Sequence, residues 1–487
     1  MRDPNDAPLA DEAARHKLRK VLGLRDLVPM QILIVLGTSW TGTAAHQAGT
    51  HVSFWLLGAL LLFLPVAVVV QYCVRIWPLE GGVYQWTKHA FGPFAGFASA
   101  WNVGAWLLLT VSAIGLQTAT GVSYALGPAA AWLAESTPFI VACNLGLFAL
   151  ILLVNIHGLR IGRWVSHVGT ASALFVAGLL TLLLFVHPAA TAAHPHSAPQ
   201  APFSLALPAL TLASLNLFSK IAFNGFTALE QVAVFAGETR DPARSILRSA
   251  WIAAPIIALI YILMTGAVLT YTAADQVDLV NPVAQVIATA FGAGTDTGPG
   301  IAWGMVLSRA AILAGIVAII SQAAVYVAEA GRLPMVAAWD HIVPESYRRL
   351  HPRYGTPTHS LVVIVAVAVL FGLLASSGAA ANEAFQLLTT SGFVCYGINY
   401  LLMFGVPLLA GTRFSRRPDL QPGAYVRIAC ACGALVTLLA MIFNLVPIVD
   451  VANPWAFAGK VALAVACING AGAAIYWRGA RRAALAI

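Results

Sequence analysis

Long uninterrupted apolar runs, each roughly 20 residues or more, leave this chain few folds to choose from. They fall near residues 27–46, 52–75, 94–125, 139–157, 165–187, 205–236, 250–272, 301–330, 358–376, 384–410, 425–447 and 455–477. A run of that length crosses the hydrocarbon core of a bilayer as an α-helix. Lipid offers no water to backbone N–H and C=O groups, so a helix, which bonds its own, is the form such a run takes. Composition agrees, because 59% of the 487 residues are hydrophobic and only 9% are charged. A soluble domain carries roughly 25% charged residues to cover its surface. The expected fold is therefore an all-α polytopic membrane protein with twelve transmembrane helices. The third, sixth, eighth and tenth runs exceed the minimum, which implies tilt, breaks or interfacial extensions.

The basic residues test that count. Loops on the cytoplasmic side should hold the Lys and Arg. With a cytoplasmic N-terminus, 24 of the 27 Lys and Arg fall on that side, in the two tails and alternate connections. Lys220, Arg309 and Lys460 lie within or beside spans. The net charge of +8 is then the inner-leaflet bias toward anionic lipid, and no nucleic-acid partner is needed. The opposite side carries Glu135, Asp275, Asp278 and Asp296, and the stretch His187–Pro202 reads as an outer loop whose His187, His194 and His196 are solvated. All six cysteines sit in apolar runs and read as small apolar filler, with no metal or disulfide. The N-terminus lacks the pattern of a signal peptide.

Two spans are interrupted in the middle. The first reads Leu36-Gly37-Thr38-Ser39-Trp40-Thr41-Gly42-Thr43, and the sixth Phe223-Asn224-Gly225-Phe226-Thr227-Ala228-Leu229-Glu230. Glycines and hydroxyls at mid-span relax a helix, and freed backbone groups can then face a cavity and hold a polar solute. The competing explanation is close helix packing through small residues. Glu230 is the sharper signal, since an acid at this depth suggests a site, a proton relay or a counter-ion; a structural hydrogen-bonding role is the alternative. Lys220 lies ten residues earlier and would share a face with it on a continuous helix, or would snorkel to the outer interface.

Around these residues the chain resembles the amino acid–polyamine–organocation transporter superfamily over nearly its whole length. Pro78-Leu79-Glu80-Gly81-Gly82-Val83-Tyr84-Gln85-Trp86 followed by Ala90-Phe91-Gly92-Pro93 is similar to the family's P-x-x-G-G-x-Y…F-G signature. Glu238-Thr239-Arg240-Asp241-Pro242 is similar to E-x-x-x-P after the sixth helix. Gly331-Arg332-Leu333-Pro334, running through Asp340 and Pro344 to Thr356-Pro357, is similar to the family's segment after the eighth. The resemblance implies a five-plus-five inverted repeat with broken helices 1 and 6, two further helices, and alternating access. It implies substrate binding by Gly37, Thr38, Ser39, Trp40, Thr41, Gly42, Phe223, Asn224, Gly225, Phe226, Thr227 and Glu230. Lys220, Glu230 and His167 are candidates for coupling or gating. Asn224 stands where the family often has an aromatic gate, so Phe223 or Phe226 would have to serve. Trp40 is a bulky departure within the first-helix signature. Ser172-Ala173 stand where some proton-coupled members carry a Lys, which leaves exchange or another coupling route open.

The expected organisation is a cytoplasmic tail over 1–26, a ten-helix core over 27–410 with repeats near 27–187 and 205–410, two added helices over 411–477, and a cytoplasmic tail over 478–487. The expected activity is secondary transport of an amino acid across the inner (cytoplasmic) membrane. The alternatives are a polyamine or amine transporter or exchanger, or a non-transporting nutrient sensor. No nucleotide loop, metal-ligand helix or nucleophile elbow is present, so no enzyme activity and no cofactor is expected; the partners are a small-molecule substrate and membrane lipid. The charge alternation predicts that a cysteine placed at residue 196 is labelled from outside the cell. One placed at residue 349 should be labelled only after permeabilisation, and the reverse pattern at either position would overturn the assignment.

Overall fold

The structure is a computed structural model and describes residues 20–77, 79, 81–186, 203–273, 276–291, 299–376, 381–413, 420–446 and 453–485. The N-terminal nineteen residues, Pro78, Glu80, the His187–Pro202 stretch with its three histidines, Asp275, Asp296, Arg416 and Arg417 lie outside the described residues. Among the described residues the regular structure is helical, and the only extended pairing is one isolated bridge, Leu22 with Thr239.

In chain order the main helices are α1 (Leu24–Val35), α2 (Ser39–Ala45), α3 (Ala48–Ile76), α4 (Val83–Phe91), α5 (Pro93–Leu126), α6 (Thr137–Ile156), α7 (Leu159–Val186) and α8 (Leu212–Phe226). A 3-10 helix, Gln231–Glu238, follows. Then come α9 (Pro242–Tyr271), α10 (Pro282–Ala290), α11 (Pro299–Trp339), α12 (Thr358–Ser376), α13 (Ala381–Arg413), α14 (Ala424–Asn444) and α15 (Pro454–Leu485). Among the described residues nine helices are long and apolar enough to cross a membrane, and α1 with α2, bent by 48° at their break, make a tenth. The chain is an all-α polytopic membrane protein. Its outward-facing side chains fit that solvent: Leu182, Leu370, Leu435 and Leu463 stand exposed where a soluble protein would place charges.

Both interruptions expected from the sequence are present. The first separates α1 from α2 at residues 36–38, and the sixth span stops as an α-helix at Phe226 and resumes at Gln231. Both lie inside the bundle, where α1 packs on α7, α9 and α11, and α8 on α2, α3 and α14.

The motif glycines serve the second break. Gly81 and Gly82 take φ of 90° and 45°, a region open to glycine but strained for other residues. Gly82 also lies so close to the 3-10 helix that an added Cβ would meet Ala233 C at 3.0 Å and Val234 N at 3.1 Å. Gly81 N–H donates to Val234 O at 3.2 Å. On another side of that helix, the N–H groups of Val21 and Leu22 donate to Glu238 O. Arg332 of α11 closes the clasp, with Nε 2.6 Å from Glu238 Oε2 and the pair almost wholly buried. From α4, Tyr84 and Lys88 both bond Asp340, just beyond α11.

A buried ion pair stripped of one member leaves its desolvation cost uncompensated. Glu238→Ala is therefore expected to lower the stability of the purified protein by on the order of 3 kcal/mol, and Glu238→Gln by less. Thermal unfolding in detergent measures both, and an unchanged melting temperature for Glu238→Ala would contradict the clasp.

Candidate functional site

Breaking a helix inside a bundle exposes N–H and C=O groups that must find partners. At the first break the partners come from α9 and α11. Tyr261 donates its hydroxyl to Val35 O at 2.9 Å and accepts from Gly37 N–H at 2.9 Å. The Gln322 amide reaches Leu33 O at 2.5 Å and the carbonyls of Ile34 and Leu36 at 3.2 Å. Tyr326 donates to Ile34 O at 2.7 Å. Tyr261 is held in place by stacking on Trp55, with centroids 4.2 Å apart, while the Trp55 indole N–H donates to Thr265.

At the second break α13 supplies the partners in the same way. Ala228 lies at φ 78°, a strained conformation for a residue with a Cβ, and its N–H donates to Tyr400 Oη at 2.9 Å. Tyr400 in turn donates to Glu230 Oε2 at 2.6 Å, and Tyr396 donates to Glu230 Oε1. Gln31 of α1 donates to Leu229 O at 2.7 Å, tying the two breaks together. Glu230, wholly buried, thus lies between two tyrosine hydroxyls, and Tyr396 stacks on Trp106 with centroids 4.2 Å apart.

Where the breaks face each other there is a cavity of about 80 Å³, room for the polar head of a small solute. Gly37, Thr38, Ser39 and Trp40 from the first break line it, with Asn224, Thr227 and Ala228 from the second. Trp106, Tyr326 and Phe393 form an aromatic wall, and Thr110, Gln117, Gln322 and Thr389 add polar groups. No lining residue among those described is charged. Three lining residues, Asn224 with Oδ1, Trp106 with Nε1 and Thr110 with Oγ1, carry buried polar atoms that no described protein group satisfies.

The remaining candidates sit elsewhere. Thr41 caps the turn by donating to Thr38 O at 2.6 Å, and Gly42 packs on Pro282. Phe226 packs on Trp55, Phe63 and Tyr261, while Phe223 packs on Phe393, Tyr396 and Tyr400. Neither lines the cavity, whose aromatic groups come from other helices. Gly225 allows the close approach of Trp55, which an added Cβ would meet at 2.6 Å. Lys220 is buried and donates to Val446 O, just beyond the end of α14, and among the described ion pairs it does not meet Glu230. His167 Nε2 lies 3.2 Å from Asp26 Oδ1, away from the cavity lining.

Trp106, Gln322, Tyr326, Phe393, Tyr396 and Tyr400 do not stand out in the sequence. Gln322 carries a usable signal, as an amide in mid-span; the aromatics carry none, since they are common in membrane helices. Glu329, a buried acid near the end of the apolar run of α11, is likewise missed by the sequence reading.

A family model described as amino acid permease matches residues 22–467. An uncharacterized transporter of Legionella pneumophila is 23% identical over 88% of this chain and 90% of its own length. The branched-chain amino acid permease of Bacillus subtilis is 24% identical over 72% of this chain and 73% of its own. Cationic amino acid transporter 5 of Arabidopsis thaliana is 23% identical, with 76% of this chain and 63% of that protein covered.

The two-tyrosine cradle suits an acceptor-only carboxylate, whereas an amide would turn a donor toward one hydroxyl. Glu230→Gln is expected to cut transport at least about tenfold, a loss of about 1.4 kcal/mol, or to flatten its pH dependence. Wild-type rates from acidic to neutral pH would reduce Glu230 to a shape-filling role.

Proposed function

We propose, from the premise that this chain belongs to the amino acid permease family, that it carries a neutral amino acid across the cytoplasmic membrane by alternating access. It is a transporter rather than an enzyme. The observation that carries the substrate assignment is the uncharged cavity between the two breaks, with its aromatic wall and unsatisfied Asn224, Trp106 and Thr110 atoms. A zwitterion brings both a donor and an acceptor group to such a site, and an aliphatic side chain suits Trp106 and Phe393. A polyamine or a cationic side chain would call for a carboxylate in the lining, and Glu230 is engaged by Tyr396 and Tyr400 outside it. Of the relatives' names, branched-chain permease fits this chemistry better than cationic transporter.

The same geometry favours sodium-independent transport. Freed helix carbonyls are natural ligands for a hard cation, but those of Leu33, Ile34, Val35 and Leu36 already accept from Gln322, Tyr326 and Tyr261. In this reading the split α8 and the shorter α12 complete twelve spans, the first ten form the inverted repeat, and both termini face the cytoplasm.

Uptake by proteoliposomes tests the function. Radiolabelled leucine, phenylalanine, serine, lysine and putrescine would each be offered with and without sodium. We expect leucine or phenylalanine to be carried equally well in both conditions. Uptake of lysine or putrescine in preference to leucine would overturn the substrate class, a requirement for sodium would overturn the ion assignment, and binding without uptake would favour a nutrient sensor.

A further inference from the structure

Glu329 lies in α11, wholly buried, and neither carboxyl oxygen has a hydrogen-bond partner among the described residues. An acid inside a membrane helix is costly and points to function by default, and here no hydrogen bond from a described residue offsets that cost. Its surroundings make it more specific. Gln322, Tyr326 and Glu329 follow at intervals of four and three residues, so they lie along one face of α11. Gln322 and Tyr326 line the cavity and bond the first break. Glu329 continues that stripe by one turn, and Arg332, bonded to Glu238, follows.

Four titratable or charged groups act on Glu329 or feel its charge: Glu230 at the second break, Tyr396 of α13, and Tyr326 and Arg332 of its own helix. Among the groups on neighbouring elements, Asp26 of α1 and His167 of α7 face each other. Tyr124 of α5 bonds Asp278, and His359 of α12 packs on Tyr347. Of the two acids, Glu230 is fixed by two hydroxyls, so a change in its charge must disturb the break. Glu329 can gain or lose a proton without breaking a hydrogen bond.

We propose that Glu329 is a proton-binding site that couples transport to the pH gradient. With α11 closed against the breaks, the dry carboxyl carries a proton, taken up from the outer side by way of the cavity. When the Glu238–Arg332 clasp opens toward the cytoplasm, water reaches the acid, which releases the proton inward and remains as carboxylate until the site returns. One proton then enters with each amino acid. Neutral Glu329 also spares Glu230 a like charge nearby, so the loaded, protonated bundle closes more readily than the empty, ionised one.

The inference rests on the transporter reading, so the test has one arm that needs no substrate. In the first arm, infrared difference spectra of the lipid-reconstituted protein are recorded through a pH change. A protonated-carboxyl C=O band should appear in wild type, persist in Glu230→Gln and vanish in Glu329→Gln; a band unaltered in Glu329→Gln, or no band in wild type, overturns the proposal even if leucine is not carried. In the second arm, proteoliposomes loaded with unlabelled leucine report exchange, and empty ones with an alkaline interior report accumulation. Glu329→Gln should keep exchange within about threefold and lose gradient-driven accumulation by about tenfold or more, with partial recovery in Glu329→Asp. Accumulation by Glu329→Gln equal to wild type overturns the proposal. Absence of leucine exchange in wild type instead counts against the neutral amino acid reading, and the infrared band then decides the role of Glu329 alone.

Discussion

Two helices are broken inside a solvent that cannot satisfy backbone hydrogen bonds, and much of the core is arranged around that constraint. In water the freed groups at residues 36–38 and 227–230 would be hydrated at little cost. In the bundle each unmet donor or acceptor costs about 1–3 kcal/mol, so long polar side chains from other helices must reach them. Tyr261, Gln322 and Tyr326 do so at the first break, and Tyr400 and Gln31 at the second. Tyrosine, rigid and amphipathic, is well suited to this role, because its ring packs in the apolar core while its hydroxyl both donates and accepts. The two tyrosines stacked on tryptophans, Tyr261 on Trp55 and Tyr396 on Trp106, are thereby aimed as well as buried.

The same constraint makes the cavity. Where side chains complete the backbone bonding, the breaks are sealed; where they do not, polar atoms remain for a solute. Asn224, Trp106 and Thr110 fall in the second class, between two walls built from the first. The cavity is lined from α1, α5 and α8 together. The short helix after the second break is held by different means. Glycine contact, an N-terminal bridge and the Arg332–Glu238 pair gather around the 3-10 helix, so the motifs that are most evident in the sequence act on one short element.

The sequence by itself determined the class of fold. Apolar runs, their number and the alternation of Lys and Arg are one-dimensional properties, set by bilayer thickness and the cost of a charge in hydrocarbon. It also marked the neighbourhood of each break with glycine and hydroxyl residues at 37–43 and 223–230, although residues 39–43 and 223–226 are themselves helical and the breaks cover only 36–38 and 227–230. Only the tertiary structure decided which of those residues meet. Asn224 and Thr227 line the cavity, whereas Phe223, Gly225 and Phe226 on the same segment pack into the bundle, because successive residues of a helix point in different directions. Lys220 and Glu230, ten residues apart, were separated by the break between them. The partners of the breaks come from residues about 170 to 290 positions away in the chain, and no local pattern marks one tyrosine or glutamine among many as the one that reaches. Helix-to-helix packing sets that choice, through side-chain contacts that periodicity and composition do not encode.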